Sequence, residues 1–377
     1  MKKILLILLL LLLIPNVKAE TLEFGQNAKS VVLMETSTGE IIYAKNENEK
    51  LSPASMTKMM SLLLIMENIE KGVIKLDDIV TVSENASSMG GSQILLETNE
   101  KMSVDDLIKG ITIASGNDAV VALAEKIAGT EQGFVAMMNK KAKELGLKNT
   151  NFKNSHGLDT ANHYSSALDM ATIARELVKH QKILEYSSVY ETYLRENTDR
   201  PIWLVNTNKL VRFYDGVDGL KTGYTSSAGY CLTATAKRDN MRIIAVAMGE
   251  PDATTRNKEI TEMLDYMFAQ YEIETLLSTT TSIKTVTNNH TKDIVIDIYP
   301  KEDITSLNKK IEGKKNITYN IVLNKIKDKI QIGEVIGKVE VIENNKVINE
   351  VELTVNKEIK KASLLDIITR NIKALLT

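Results

Sequence analysis

The segment Ser52-Pro53-Ala54-Ser55-Met56-Thr57-Lys58, running into the apolar stretch Met59 to Met66, restricts this chain more than any other. A helix that is apolar nearly all round must be buried by the rest of the fold. Ser52 is placed to cap its free N–H groups. Pro53 suits the first helical position, because its missing N–H would have had no partner there, and Gly72 supplies a stop. Ser55 and Lys58 are three residues apart and therefore share one face of the first turn. A hydroxyl beside an amine can form a nucleophile and its base. The same turn carries unpaired backbone N–H groups and the positive end of the helix dipole, which suits an oxyanion formed at Ser55. Ser-x-x-Lys alone is weak evidence in a lysine-rich chain, and Ser306-Leu307-Asn308-Lys309 repeats it.

The remaining composition sets bounds. With 377 residues, 43% apolar and 25% charged, the chain can build a large core and a second domain. A formal charge of −2 lacks the basic surplus that a nucleic-acid partner calls for. Lys2 and Lys3 precede the apolar run Ile4 to Ile14, and Val17-Lys18-Ala19 offers a small-residue cleavage site. Residues 1–19 therefore read as a secretory signal peptide, the run being short for a membrane span. Its removal takes away three lysines and no acid, and it places the mature protein outside the cytoplasmic membrane. Cys231 is the single cysteine, so no internal disulfide is expected, and its apolar setting reads as a small buried residue. His156, His163, His180 and His290 are scattered, and no metal or cofactor is expected.

Along the chain, Val31 to Glu35 and Glu40 to Lys45 read as strands joined by a turn at Thr38-Gly39. Helices follow at Ser55, from Ser103, over Ala119 to Ala128, Glu131 to Leu145 and Ser166 to His180, with Asn151 to Tyr164 as a polar loop. Val189 to Arg195, Ile202 to Leu210, Tyr230 to Ala236 and Arg242 to Met248 read as strands, and Thr254 to Tyr271 as a closing helix. Strands at both ends with helices between them predict an α/β (α+β) domain over 20–276. Its first and last strands would be neighbours in one sheet covered by helices. Residues 277–355 alternate in the period of a small β-sandwich: Ile294, Ile296 and Ile298, then Val335, Val339 and Val341, then Val351, Leu353 and Val355, with a turn at Asn344-Asn345. Over 356–377, Leu364, Leu365, Ile367, Ile368, Ile372, Leu375 and Leu376 fall on one helical face. Asp366, Arg370 and Lys373 lie opposite, behind Lys357, Lys360 and Lys361. This is the pattern of an amphipathic helix lying in a membrane interface, so the protein is expected to sit peripherally on the outer face of the cytoplasmic membrane.

Three motifs occur in order: Ser55-x-x-Lys58, Ser115-Gly116-Asn117 and Lys221-Thr222-Gly223. The middle one also matches at Ser83 and Ser306; Lys-Thr-Gly occurs once. The ordered set is that of penicillin-binding proteins and serine β-lactamases. Ser52 to Met60, Ala114 to Ala119, Asn154-Ser155-His156-Gly157-Leu158-Asp159 and Asp218 to Thr225 closely resemble the low-molecular-mass penicillin-binding proteins that are D-alanyl-D-alanine carboxypeptidases. The resemblance is strong over Glu23 to Tyr271 and looser beyond. It implies helices on an antiparallel sheet of the β-lactamase/transpeptidase type. It also implies removal of the terminal D-alanine from peptidoglycan stem pentapeptides, and covalent capture by β-lactam antibiotics.

On this reading Ser55 attacks the carbonyl between the two D-alanines and Lys58, uncharged, takes its proton, with burial and the nearby cation Lys221 favouring the neutral amine. Ser115 relays a proton to the leaving D-alanine, and Asn117 holds the substrate amide and orients Lys58. Lys221 attracts the terminal carboxylate and Thr222 adds a hydrogen bond. Gly223 lets the strand backbone approach the substrate. The resemblance further implies an oxyanion hole from the N–H groups of Ser55 and Tyr224. Arg256 reads as a solvated surface residue, with a carboxylate-binding role as the alternative, and His156-Gly157 as a structural loop feature. Two rivals are a class A β-lactamase, which needs a deacylating glutamate where the 154–159 loop offers only Asp159, and a silent wall-binding protein, which has no use for a Ser–Lys pair.

Overall fold

The computed structural model describes residues 22–376. The expected signal peptide, residues 1–19, lies outside them. A five-stranded antiparallel sheet organises the larger domain, in the order Ile41–Lys45, Ser30–Glu35, Met241–Glu250, Gly229–Arg238, Val217–Thr225. The first and last long strands are neighbours, as their sequence positions predict: Val32 faces Val246 and Leu33 faces Ala245.

Alternation along these strands splits the core in two. Val32, Met34, Ile244, Val246 and Met248 point to the helical layer that holds the Lys58–Glu70 helix. Val31, Leu33, Ile243, Ala245 and Ala247 point to the Ala253–Gln270 helix on the opposite face. The Lys58–Glu70 helix runs through the first core with Met59 to Met66 buried on every side. Truncating a residue such as Leu63 there to alanine costs about 2–5 kcal/mol.

Local signals explain most helix ends. Ser103, Thr130 and Ser166 each accept a capping hydrogen bond from the backbone, and Gly129 closes Asn117–Ala128 in the left-handed region. Several boundaries differ from the sequence expectation. Ser52 does not cap: its hydroxyl donates to Asp159 Oδ1 at 2.9 Å, and the chain enters through a 3₁₀ turn, Ala54–Thr57, before the α-helix begins at Lys58. The expected strand Ile202 to Leu210 stops at Val205, and Leu210–Phe213 is a helical turn. The closing helix ends at Gln270, and Tyr271 opens a strand instead.

That strand, Tyr271–Leu277, pairs with Ile304–Lys309, and a second sheet joins Lys284–Thr287, Val295–Pro300, Lys346–Thr354, Gly337–Glu343 and Ile317–Leu323. Ile296, Ile298, Val339, Val341, Val351 and Leu353 fill its core. Asn344 and Asn345 both take positive φ, 49° and 62°, in the two-residue turn joining Gly337–Glu343 to Lys346–Thr354. The second Ser-x-x-Lys lies on the strand Ile304–Lys309, where Ser306 and Lys309 point to opposite faces. The two domains touch through Ser37 Oγ and Thr305 Oγ1 at 2.7 Å and through Lys315 and Glu40 at 2.9 Å.

The terminal helix spans Leu364–Leu376, shorter than the expected 356–377, because Ile359 and Lys361 make β-bridges to the domain before it. Ser363 and Asp366 cap it reciprocally. Leu364, Leu365, Ile368 and Ile372 are exposed, while Arg370 donates to the carbonyls of Asn289, Thr291 and Lys292. The side chains of Lys373, Leu375 and Leu376 lie outside the described residues.

Candidate active site

The three motifs meet although they lie far apart in sequence. Ser55 sits in the 3₁₀ turn, Lys58 one turn on, Ser115 at the bend between the Val104–Ile113 and Asn117–Ala128 helices, and Lys221 on the edge strand of the main sheet. Ser55, Ser115, Thr222, Gly223, Tyr224 and Arg256 line one cavity of about 400 Å³. A larger cleft of about 550 Å³, between the domains, holds none of the motif residues.

Lys58 is completely buried. Its Nζ lies 3.0 Å from Ser55 Oγ, 2.6 Å from Asn117 Oδ1 and 2.7 Å from the carbonyl of His156. The Asn117 amide is oriented by Nδ2, which donates to the Gly90 carbonyl at 2.7 Å, so its oxygen faces the lysine. Neither the Asn117 oxygen nor the His156 carbonyl can donate. A neutral amine has two hydrogens and one lone pair; those two acceptors consume both hydrogens, and the lone pair is left facing the Ser55 hydroxyl. Burial, then the like charge of Lys221, push the Lys58 amine well below its ordinary value, against the opposing pull of the Asp118 carboxylate. Asp118 itself is spent on the N–H groups of Ile94, Leu96 and Ala119.

Lys221 is also buried, and its Nζ donates to the Thr222 carbonyl at 3.2 Å. Burial first and Arg256 second lower it to about 7. Thr222 Oγ1 donates to Thr207 Oγ1 at 2.8 Å. Ser115, 3% exposed, adopts φ +64° and its hydroxyl has no partner among the described residues. Tyr224 is exposed and stacks on Tyr230 with ring centroids 4.4 Å apart.

Two glycines serve close approach. A Cβ on Gly223 would lie 2.7 Å from the Pro53 carbonyl oxygen and 3.3 Å from Ser55 N, so this glycine brings the strand against the nucleophile turn itself. Gly157, at φ +93°, presses the 154–158 loop on that turn from the other side: a Cβ there would sit 1.9 Å from the Ala54 oxygen. Ala54, squeezed between them, takes φ +46°, an uncommon conformation for a residue with a Cβ.

Arg256 corrects the sequence expectation. It is 5% exposed, not solvated, and forms part of the cavity wall; Nη1 donates to the Cys231 carbonyl and Nη2 to Asn257 Oδ1. Its burial was illegible because helical position alone does not reveal which face meets the sheet. The His156 and Gly90 carbonyls were equally invisible, since a backbone acceptor carries no residue signature. Asp159 ties Ser52 to Thr225, holding the loop, the turn and the edge strand together. His163, buried, bonds Thr57 Oγ1 through Nε2 at 2.8 Å and accepts from the Lys153 N–H.

The arrangement can deprotonate a serine hydroxyl beside a cationic anion-binding wall, the equipment of acyl transfer. Residues 17–252 match the family model described as D-alanyl-D-alanine carboxypeptidase, and residues 271–361 match that of the penicillin-binding protein 5 C-terminal domain. The D-alanyl-D-alanine carboxypeptidase DacF of Bacillus subtilis is 49% identical, over 93% of this chain and 90% of its own length. The crystal structure of penicillin-binding protein 5 from Haemophilus influenzae superposes with a TM-score of 0.72 at 33% identity, covering 91% of this chain and 99% of that one. Ampicillin-bound penicillin-binding protein D2 of Listeria monocytogenes covers 64% of this chain and 98% of its own, with a TM-score of 0.58 at 28% identity. With both its domains matched in order and its motif residues gathered around one cavity, the chain belongs to the D-alanyl-D-alanine carboxypeptidase family of penicillin-binding hydrolases.

Proposed function

We propose that Ser55 is the nucleophile that removes the terminal D-alanine from peptidoglycan stem pentapeptides. The observation that carries this is the Lys58 amine, buried, depressed in basicity and 3.0 Å from the Ser55 hydroxyl. Ser55 Oγ bonds to the penultimate carbonyl carbon while its proton passes to Lys58. The oxyanion is held by the N–H groups of Ser55 and Tyr224. Collapse breaks the carbon–nitrogen bond, and Ser115 passes its proton to the departing amine while taking one from the Lys58 ammonium, which returns the lysine to its neutral form. Water then releases the acyl group. Lys221, Thr222 and Arg256 take the terminal carboxylate, and Asn117 holds both Lys58 and the substrate amide. A β-lactam acylates the same oxygen, but its leaving nitrogen stays tethered, so water meets a crowded ester.

Among the described residues no carboxylate hydrogen-bonds to Ser55 or Lys58; Glu131, which reaches the 154–158 loop, is held by the N–H and hydroxyl of Ser155, and Asp159 accepts from Ser52 and Thr225. This geometry favours slow deacylation over β-lactamase turnover. Intact mass after incubation with a penicillin tests it: a stable adduct on the Ser55 peptide, lost in Ser55→Ala together with D-alanine release, is expected. Rapid penicillin turnover with no adduct would refute it.

The protein is exported and rests on the outer face of the cytoplasmic membrane through its terminal helix. The exposed row Leu364, Leu365, Ile368 and Ile372 supports this reading. Arg370 fastens the polar side of the helix to the domain beside it, which turns that row outward. No helix among the described residues is long and apolar enough to cross a membrane. Ending the chain at Ala362, ahead of the helix and after the bridges at Ile359 and Lys361, is expected to leave the activity and abolish sedimentation with anionic vesicles; undiminished sedimentation would show that the helix is not the anchor.

A further inference from the structure

A pair of acids behind the cavity wall is unused by the chemistry above. Glu250 ends its strand opposite Tyr230, and Glu259 lies one helical turn beyond Arg256. Both are buried, at 1% and 5% exposure. Glu259 Oε1 accepts from the backbone and side chain of Asn27, at 3.1 and 2.6 Å. Glu259 Oε2 and both oxygens of Glu250 find no donor among the described residues, yet the two carboxyls are in hydrogen-bond contact with each other. Two ionised carboxylates cannot share such a site, whereas one proton between them satisfies both.

We propose that Glu250 and Glu259 share one proton behind Arg256, and that losing it weakens the hold of Arg256 on the substrate's terminal carboxylate. This rests on the reading that Arg256 takes that carboxylate; Glu250 is a positioning residue acting through it. The charged groups facing Glu250 are Glu259, Lys45, Asp252 and Arg256. Lys45 cannot neutralise the pair by direct contact, because its ammonium donates to the carbonyls of Gly25, Gln26 and Ala28. Arg256 makes no hydrogen bond to either acid among the described residues: three of its five N–H groups go to Asn257 and Cys231, and one on each terminal nitrogen remains for a carboxylate. Burial, then Glu259, push the Glu250 carboxyl up to about 8, so the shared proton leaves just above neutrality. Its departure sets a second negative charge beside the guanidinium, in competition with the incoming anion.

The test is KM and kcat from pH 6 to 10 for a peptide ending in D-alanyl-D-alanine, with the full chain, Glu250→Gln and Glu259→Gln. In the parent, KM is expected to rise about tenfold between pH 7 and 9. Glu250→Gln keeps only the Glu259 carboxylate, held ionised by the Asn27 donors, so the rise is expected to shrink about threefold or more with the kcat profile unmoved; in Glu259→Gln burial still raises Glu250, so the rise is expected at lower pH. Loss of charge at Lys221 contributes equally to all three proteins, so the comparison of ratios removes it. Infrared difference spectra give a readout independent of activity: a protonated-carboxyl band that disappears near pH 8 in the parent, is absent from Glu250→Gln and disappears at lower pH in Glu259→Gln. Variants that melt like the parent and keep its KM ratio, or a parent without that band, would overturn the proposal. A parent that shows the band but releases no D-alanine would sink the assigned activity and leave the shared proton standing.

Discussion

Asn117 Oδ1 accepts a 2.6 Å hydrogen bond from Lys58 Nζ while its amide nitrogen is pinned by the Gly90 carbonyl. The amide therefore does more than fill space: it directs the lone pair of the lysine to Ser55. Asn117→Asp places a carboxylate at the same position, which favours the charged ammonium and removes the base. Acylation by penicillin is expected to fall roughly 10²- to 10⁴-fold at neutral pH and to recover partly as pH rises. A pH profile identical to the parent's would show that Asn117 does not govern the charge of Lys58.

Gly157 and Gly146 separate two costs of a side chain. Both adopt positive φ, +93° and +71°, but a Cβ at Gly146 meets nothing within 4 Å, while one at Gly157 collides with Ala54. Gly146→Ala is expected to cost about 1 kcal/mol in urea unfolding. Gly157→Ala is expected to cost ~3 kcal/mol or more and also to slow acylation, because the turn bearing Ser55 must move. Equal effects of the two changes would contradict the close packing of the loop on the nucleophile turn.

Arg256, in the cavity wall, and the buried Lys221 are like charges close enough to repel. Arg256→Leu removes a carboxylate partner, so KM is expected to rise about tenfold or more at pH 7. It also removes the repulsion that helps hold Lys221 near 7, so Lys221 should keep its charge to higher pH. The part of the KM rise due to Lys221 is then displaced upward in the variant, a shift visible in the same steady-state series.

His156 and His163 are buried neutral, each lowered to about 4 with burial as the leading cause. Their unfolded counterparts protonate near 6.5, so below that pH the unfolded chain binds more protons. Stability is therefore full above about 6.5 and is lost as pH falls toward 4, by about 2 kcal/mol for each histidine between pH 7 and 5. Urea midpoints that stay flat across that interval would show that the histidines ionise freely in the folded protein.

Deleting the contact rather than the helix probes the membrane reading. Arg370→Ala frees the polar face of the terminal helix from the carbonyls of Asn289, Thr291 and Lys292. Vesicle binding is expected to persist, since the apolar row is intact, while proteolysis at the 356–363 segment quickens. Loss of binding would mean that the clamp, rather than the apolar face, carries the attachment.

What the sequence by itself determined is local. The apolar run Met59 to Met66, the strand Arg242 to Met248, the helix start at Ser103, the asparagine turn at 344–345 and the three ordered motifs are written in neighbouring residues, because helix period, strand alternation and capping depend on short-range geometry. Only the tertiary structure decided that Ser52 bonds Asp159 instead of capping, that Arg256 is enclosed, and that Gly223 is needed against Pro53. The sequence likewise could not show that a backbone carbonyl from the 154–158 loop completes the coordination of Lys58. Each of these depends on which distant segment arrives beside the residue, and a carbonyl or a buried face acquires its chemistry from that neighbour rather than from its own side chain.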